Sequence, residues 1–348
     1  MKDKKSKESF INRELSWLAF ARRVLAMAES PEVPLLERVR FGGIVGMLHD
    51  EFFMKRVSGL KRQMAKQSTK QSLDGRTPAE EFELCRAELG AQVETLAEII
   101  ATSIRPALVE AGLPLIEHEN LTKLQQKQLR RSFEASVMPI LTPLAVDPQH
   151  PFPFISNLGL NLGVWMEDGK RSDFIRIKVP ANRPRWVPLP DGSGYTPLEQ
   201  IIAANLDLLI PRLGDHEVHL FRVTRGAEGD PPAQDLDEGE LSRQPGSIVR
   251  QVGKELKARR FAGAVRLQTD VSMPKARRKW LARQFDLGPD DVYPTAGLLA
   301  LSDLGSFGDV DRPELNFPEH RPRLHPRLAR LADEPEAIFE EIRRGDLL

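Results

Sequence analysis

The stretch Leu158-Gly-Leu-Asn-Leu-Gly-Val-Trp-Met-Glu-Asp-Gly-Lys-Arg-Ser-Asp-Phe-Ile-Arg-Ile-Lys-Val179 decides the fold class. Leu158, Leu160, Leu162 and Val164 alternate with small or polar residues, Asp168-Gly169 supplies a turn, and Ile175, Ile177 and Val179 alternate against Arg176 and Lys178. A period of two belongs to a strand with one buried face, so the segment predicts a β-hairpin. Two more strands are expected near 218–224 and 264–269, separated by helical patterns at 198–210 and 248–260. The result is an antiparallel sheet carrying helices.

Upstream the period changes. From Asn12 to about Gly112 apolar residues recur at helical spacing, as in Phe53, Val57, Leu60 and Met64, or Phe82, Cys85, Leu89, Leu96 and Ile100. Breaks at Ser30-Pro31, Pro34 and Thr77-Pro78 divide this region into helices at 12–28, 34–46, 48–67 and 78–111. A further helix is expected at 122–138, before a Pro-rich stretch at 139–153. The fold class is therefore α+β, with an N-terminal helical bundle over 1–112 and an α+β middle domain with an antiparallel sheet over 113–330. Residues 226–240 carry six acidic side chains and no basic one, which predicts a solvated loop. A last helical pattern runs from Pro335 towards Leu348.

Composition narrows the function classes. Fifty basic residues balance fifty acidic ones, which argues against wholesale coating of nucleic acid. The single cysteine, Cys85, excludes an internal disulfide framework and continues an apolar helical stripe, so it reads as structural. The N-terminus has no apolar signal core, and the longest uncharged run, 148–166, is interrupted by prolines and asparagines, so no membrane span is expected. The expected location is the cytoplasm. P-loop and dinucleotide glycine patterns are missing, and Gly42-Gly43 inside a helical pattern reads as close packing. His216 and His219 in an extended segment face opposite ways, so no metal site is expected. Local positive charge remains: six basic residues and no acidic one between Lys55 and Lys70, and eleven basic against two acidic residues from Arg250 to Arg283.

Several linked strings carry a resemblance. They are Phe10-Ile-Asn-Arg-Glu-Leu-Ser-Trp-Leu-Ala-Phe20, Arg23-Val-Leu25, Pro34-Leu-Leu-Glu-Arg38 and Asp50-Glu-Phe-Phe-Met-Lys-Arg-Val57, followed by His150-Pro-Phe-Pro-Phe-Ile-Ser-Asn-Leu158, Phe221-Arg-Val-Thr-Arg225, Val265-Arg-Leu267 and Asp291-Val-Tyr293. In order and spacing the chain resembles the N-terminal and middle, or head, domains of bacterial polyphosphate kinase. The resemblance implies reversible transfer of the terminal phosphate of ATP to polyphosphate, through a phosphorylated histidine and with magnesium. It also implies that the histidine and metal lie in two C-terminal domains, so that 331–348 is the start of a missing catalytic domain and this chain alone is inactive. None of the seven histidines has Lys two residues on, the spacing those domains would carry.

The resemblance further implies support of nucleotide binding, a homodimer through the head domain, polyphosphate as partner and a separately encoded C-terminal half as a possible partner. ATP and magnesium belong to the complete enzyme, with none expected bound tightly here. Leu48 occupies the position of a family asparagine that contributes to the nucleotide site, and Ala21 replaces a second usual asparagine. Leucine can neither donate nor accept a hydrogen bond, so that contribution is in doubt. Arg13, Lys55 and Arg56 are the candidates for phosphate contact. Trp17, Phe20, Phe52 and Phe53 are expected in the core. His49, beside Asp50 but about 100° away around a helix, is expected to be structural. The competing reading is a stand-alone polyphosphate- or polyanion-binding or dimerisation module; nucleic-acid binding ranks behind both, because the aromatic platforms it uses are missing.

Overall fold

Side-chain caps lay out the helical region. Asn12 Oδ1 accepts from the amides of Glu14 and Leu15, both at 3.0 Å, and starts helix α1, Arg13–Glu29. Pro34 precedes α2, Leu35–Phe52, which passes through a π-helical turn, Phe53–Val57, directly into α3, Ser58–Ala65. Thr77 and Glu80 form a reciprocal capping box with Pro78 in the first turn of α4, Pro78–Ile99. A second π-helical turn, Ile100–Ile104, joins α4 to α5, Arg105–Glu110. Thr122 and Gln125 repeat the capping box at α6, Lys123–Ser136.

The structure, a computed structural model, describes residues 10–146, 152–168, 171–211, 213–227, 263–320 and 337–344. The chain forms two units, 1–311 and 312–348. In the second, Ala337–Arg343 is helical, as the pattern from Pro335 predicts. The patterns at 228–240 and 248–260 lie outside the described residues.

The expected break between helices 34–46 and 48–67 does not occur. Gly46 sits within α2 because a bare helix surface is needed there: a Cβ on Gly46 would lie 2.5 Å from the Ser302 amide nitrogen, and one on Gly43 2.6 Å from that of Gly305. These glycines serve close approach rather than a turn.

The predicted hairpin forms from β2, Leu160–Asp168, and β3, Arg171–Lys178, with Leu162 opposite Ile177 and Val164 opposite Ile175. Strands β1, Leu144–Val146, β6, His216–Arg225, β7, Ala264–Asp270, and β8, Val292–Thr295, complete a six-stranded sheet in the order β1-β3-β2-β6-β7-β8. The sheet is mixed rather than wholly antiparallel, because β8 runs parallel to β7. Helix α9, Lys275–Gln284, makes the crossover that a parallel pair requires. Strands Trp186–Pro188 and Tyr195–Pro197 form a separate pair.

Both sheet faces are covered. Leu160, Leu162, Val164, Ile175 and Ile177 pack with Leu129 and Phe133 of α6, with Ile201 and Ile202 of α7, Leu198–Ala204, and with Leu206 of α8, Leu206–Leu209. On the opposite face Trp165, Phe174, Phe221, Val223 and Leu267 meet Leu281 and Ala282 of α9. In the helical region Leu18, Ala21, Leu25 and Ala28 line the inward side of α1. Phe20 is turned away from that stripe and is 51% exposed, so it is not a core residue; Trp17, Phe52 and Phe53 do join the packed cluster.

Candidate functional site

Where β6 and β7 run beneath the rod formed by α2, the π-helical turn Phe53–Val57 and α3, the alternation that points Phe221, Val223 and Leu267 to α9 points Arg222, Thr224, Arg266 and Gln268 to the rod. All four are buried. Two arginines in a sheet interior need an acid, and Asp50 near the end of α2 supplies it. Its carboxylate accepts from Arg222 Nη2 at 2.7 Å and from Arg266 Nη2 at 2.5 Å. Arg266 also donates to Thr224 Oγ1 and lies 4.0 Å above the centroid of the Phe53 ring.

Burial alone would raise the pKa of Asp50, but the two guanidinium groups overcome it and hold the carboxyl below its ordinary value. Burial pulls Arg266 down to about 10, against the opposing pull of Asp50, so it remains a cation at neutral pH. The same wall opens into a cleft of about 450 Å³ whose polar lining is Glu83, Arg86, Glu94, Arg266, Gln268, Tyr293 and Thr295. Burial pushes the Tyr293 phenol up to about 12, so it is a neutral hydrogen-bonding group. Gln268 Oε1 is buried without a hydrogen-bond partner. The cleft thus mixes both signs of charge with neutral hydrogen-bonding groups, and its two arginines are already paired, Arg86 with Glu83 and Asp290 and Arg266 with Asp50.

His49 points elsewhere. Its Nε2 lies 2.9 Å from Gln92 Oε1, while Gln92 Nε2 donates to the Leu18 carbonyl and to Glu88. Burial pushes the imidazole below its usual pKa, which makes it neutral at pH 7. At 2% exposure the ring is closed to a phosphoryl donor in solvent, consistent with its expected structural role.

The residues singled out for nucleotide and phosphate contact sit in different settings. Lys55 is exposed and pairs with Glu51 one turn earlier, at 2.5 Å. Arg56 reaches Glu14 at 3.5 Å, which brings it towards Arg13, exposed at the start of α1. Burial raises the pKa of Glu14, with Arg56 and then Arg13 opposing. Leu48 is half-buried between exposed Met47 and buried His49. Among the described residues no group of three or more His, Cys, Asp or Glu side chains is placed to hold a metal ion.

Sequence reasoning missed the roles of Asp50, Arg222 and Arg266. A usable signal was present: Arg222 lies between Phe221 and Val223, and Arg266 between Val265 and Leu267, so each interrupts an otherwise apolar strand. A second buried ion pair, Arg185 to Glu199 at 2.5 Å, was missed as well. Arg185 Nη1 also donates to the Leu299 and Ala300 carbonyls, at 2.8 and 2.9 Å, and so holds the loop on which α2 rests.

Two family models match the chain: Polyphosphate kinase N-terminal domain over residues 10–116, and Polyphosphate kinase middle domain over residues 124–307. Polyphosphate kinases of Mycobacterium avium and Mycolicibacterium gilvum are each 39% identical over 98% of this chain. The chain spans about half of these relatives, 47% and 46% of their lengths. The crystal structure of polyphosphate kinase from Porphyromonas gingivalis superimposes with a TM-score of 0.74 over 94% of this chain and 45% of that one, at 23% identity, and so shares the fold. With a family model covering more than half of its residues, the chain belongs to the polyphosphate kinase family.

Proposed function

We propose that this chain does the work of the N-terminal and head regions of a polyphosphate kinase, supporting nucleotide binding and dimerisation while the phosphorylated histidine is supplied from outside these 348 residues. The head region, 113–330, would carry the dimer contact, and the helical region, 1–112, the nucleotide support. The observation that carries this reading is the pair of family matches in order along the chain, over relatives about twice as long. His49 supports it from the other side, since an imidazole sealed from solvent cannot meet a phosphoryl donor. ATP and magnesium would enter as substrate and its metal; among the described residues no group of three or more His, Cys, Asp or Glu side chains is placed to hold an ion.

Incubation of the purified chain with magnesium and γ-labelled ATP, scored for acid-stable polymer, tests the assignment. The expected outcome is no polymer from the chain alone, and polymer above background when a separately expressed C-terminal half of a related kinase is added. Polymer from the chain alone would overturn it, and so would failure to raise the added half above its own activity.

A further inference from the structure

The basic run from Arg250 to Arg283 ends in α9, whose sequence Lys-Ala-Arg-Arg-Lys-Trp-Leu-Ala-Arg-Gln contains five cations and no acid. At 100° per residue, Lys275, Arg278, Lys279 and Arg283 fall within an arc of about 140° and advance ~12 Å along the axis. They do line one groove. It has a volume of about 540 Å³, and its far wall is Leu287, Pro289, Val292 and Pro294. Among the described residues no carboxylate lines it.

Three acids around this helix are engaged by other cations. Asp291 takes Lys61 at 2.6 Å, Asp290 takes Arg86 at 3.3 Å, and Glu217 takes Arg277 on the other side of the helix at 3.3 Å. Lys275, Arg278, Lys279 and Arg283 have no ion-pair partner among the described residues. The Arg278 Nε is shielded from solvent and has no hydrogen-bond acceptor, so the guanidinium carries a desolvation cost that an anion at its outer edge offsets.

We propose that this groove is a docking track for a linear inorganic polyphosphate chain. The ligand class rests on the family reading; the location rests on the four unpaired cations. A row of cations repeated along a helix matches a ligand that repeats its charge. Among the described residues the groove wall offers no aromatic face on which a base would stack and no amide or hydroxyl side chain to read a base edge, which disfavours nucleotide and RNA.

Direct binding of long-chain sodium polyphosphate to the intact purified chain, read by titration at several salt concentrations, provides the test. By analogy with single-stranded nucleic acid, four contacts at about 0.7 each give a slope of log affinity on log salt of about −3. The triple variant Lys275→Gln/Lys279→Gln/Arg283→Gln alters only exposed side chains; it should weaken low-salt binding at least ~10-fold and flatten the slope by about 2. Lys275→Arg/Lys279→Arg should retain binding, as should Lys66→Gln/Lys70→Gln on the helical region. Unchanged affinity in the triple variant, an equal loss in the Lys66/Lys70 control, or tighter binding of single-stranded RNA than of polyphosphate would each overturn the proposal. Tripolyphosphate binding as tightly as the long chain would overturn the extended track. Because the readout is binding, it can fail while complementation succeeds, and the reverse.

Discussion

Two basic regions that look alike as strings, 55–70 and 275–283, are paired differently by the fold. In the first, Lys55, Arg56 and Lys61 meet Glu51, Glu14 and Asp291, acids drawn from the same turn, from α1 and from the end of the sheet region. In the second, four cations share a groove without a carboxylate. A third arrangement, at Asp50, removes two arginines from water altogether and makes them part of the core. Positive charge in a sequence thus says little until the fold has assigned each cation its partner. Cations that the fold consumes hold parts together, and those it leaves over are available to a ligand.

The strongest way to break this contrast is at the consumed end. Asp50→Ala would leave Arg222 and Arg266 buried and unpaired, and removal of one partner of such a cluster costs about 3–5 kcal/mol. Urea unfolding should show a much lower midpoint, and a loss under 1 kcal/mol would mean that the arginines reach water and the junction is not held by charge.

Steric fit of the rod gives the next effect. Gly46→Ala and Gly43→Ala drive a methyl into backbone at 2.5 and 2.6 Å, so each should cost about 1–3 kcal/mol. Gly90→Ala, inside α4 with open space around it, should instead gain about 0.5–1 kcal/mol. Thermal melts of the three variants read the sign directly; equal shifts would remove the packing explanation.

Acid should act through the buried groups. Burial lowers the pKa of His49 and of His118, so the unfolded chain binds protons first as pH falls below about 6.5. Their contribution is complete above that pH and is lost as pH falls through the folded values. Asp50, also held low, adds a second loss below about 4. Unfolding midpoints measured from pH 8 to pH 4 should therefore decline, and His49→Gln should flatten the first part of the decline. A slope unchanged in that variant would show that the imidazole is not the group responsible.

The smallest effects belong to the neutralised surface run. Lys55→Ala and Arg56→Ala remove exposed or half-exposed pairs and should each change stability by no more than about 1 kcal/mol. If either abolished polyphosphate binding as the α9 triple variant is expected to, the distinction between consumed and available cations would fall.

Local chemistry in the sequence determined most of the elements. Thr77-Pro78 and Thr122 cap helices, and the alternation through Leu160–Val164 and Ile175–Ile177 sets the hairpin register, because both signals act within a few residues. The linked motifs likewise pointed to the family that the matches establish. Three things had to wait for the tertiary structure: the unbroken rod through Gly46, the parallel edge strand β8, and the pairing of Asp50 with arginines 172 and 216 residues away in sequence. Each depends on a partner brought in by folding. A string records that a glycine is bare or a side chain charged, but the atom that approaches the glycine and the charge that neutralises the side chain are decided only by packing.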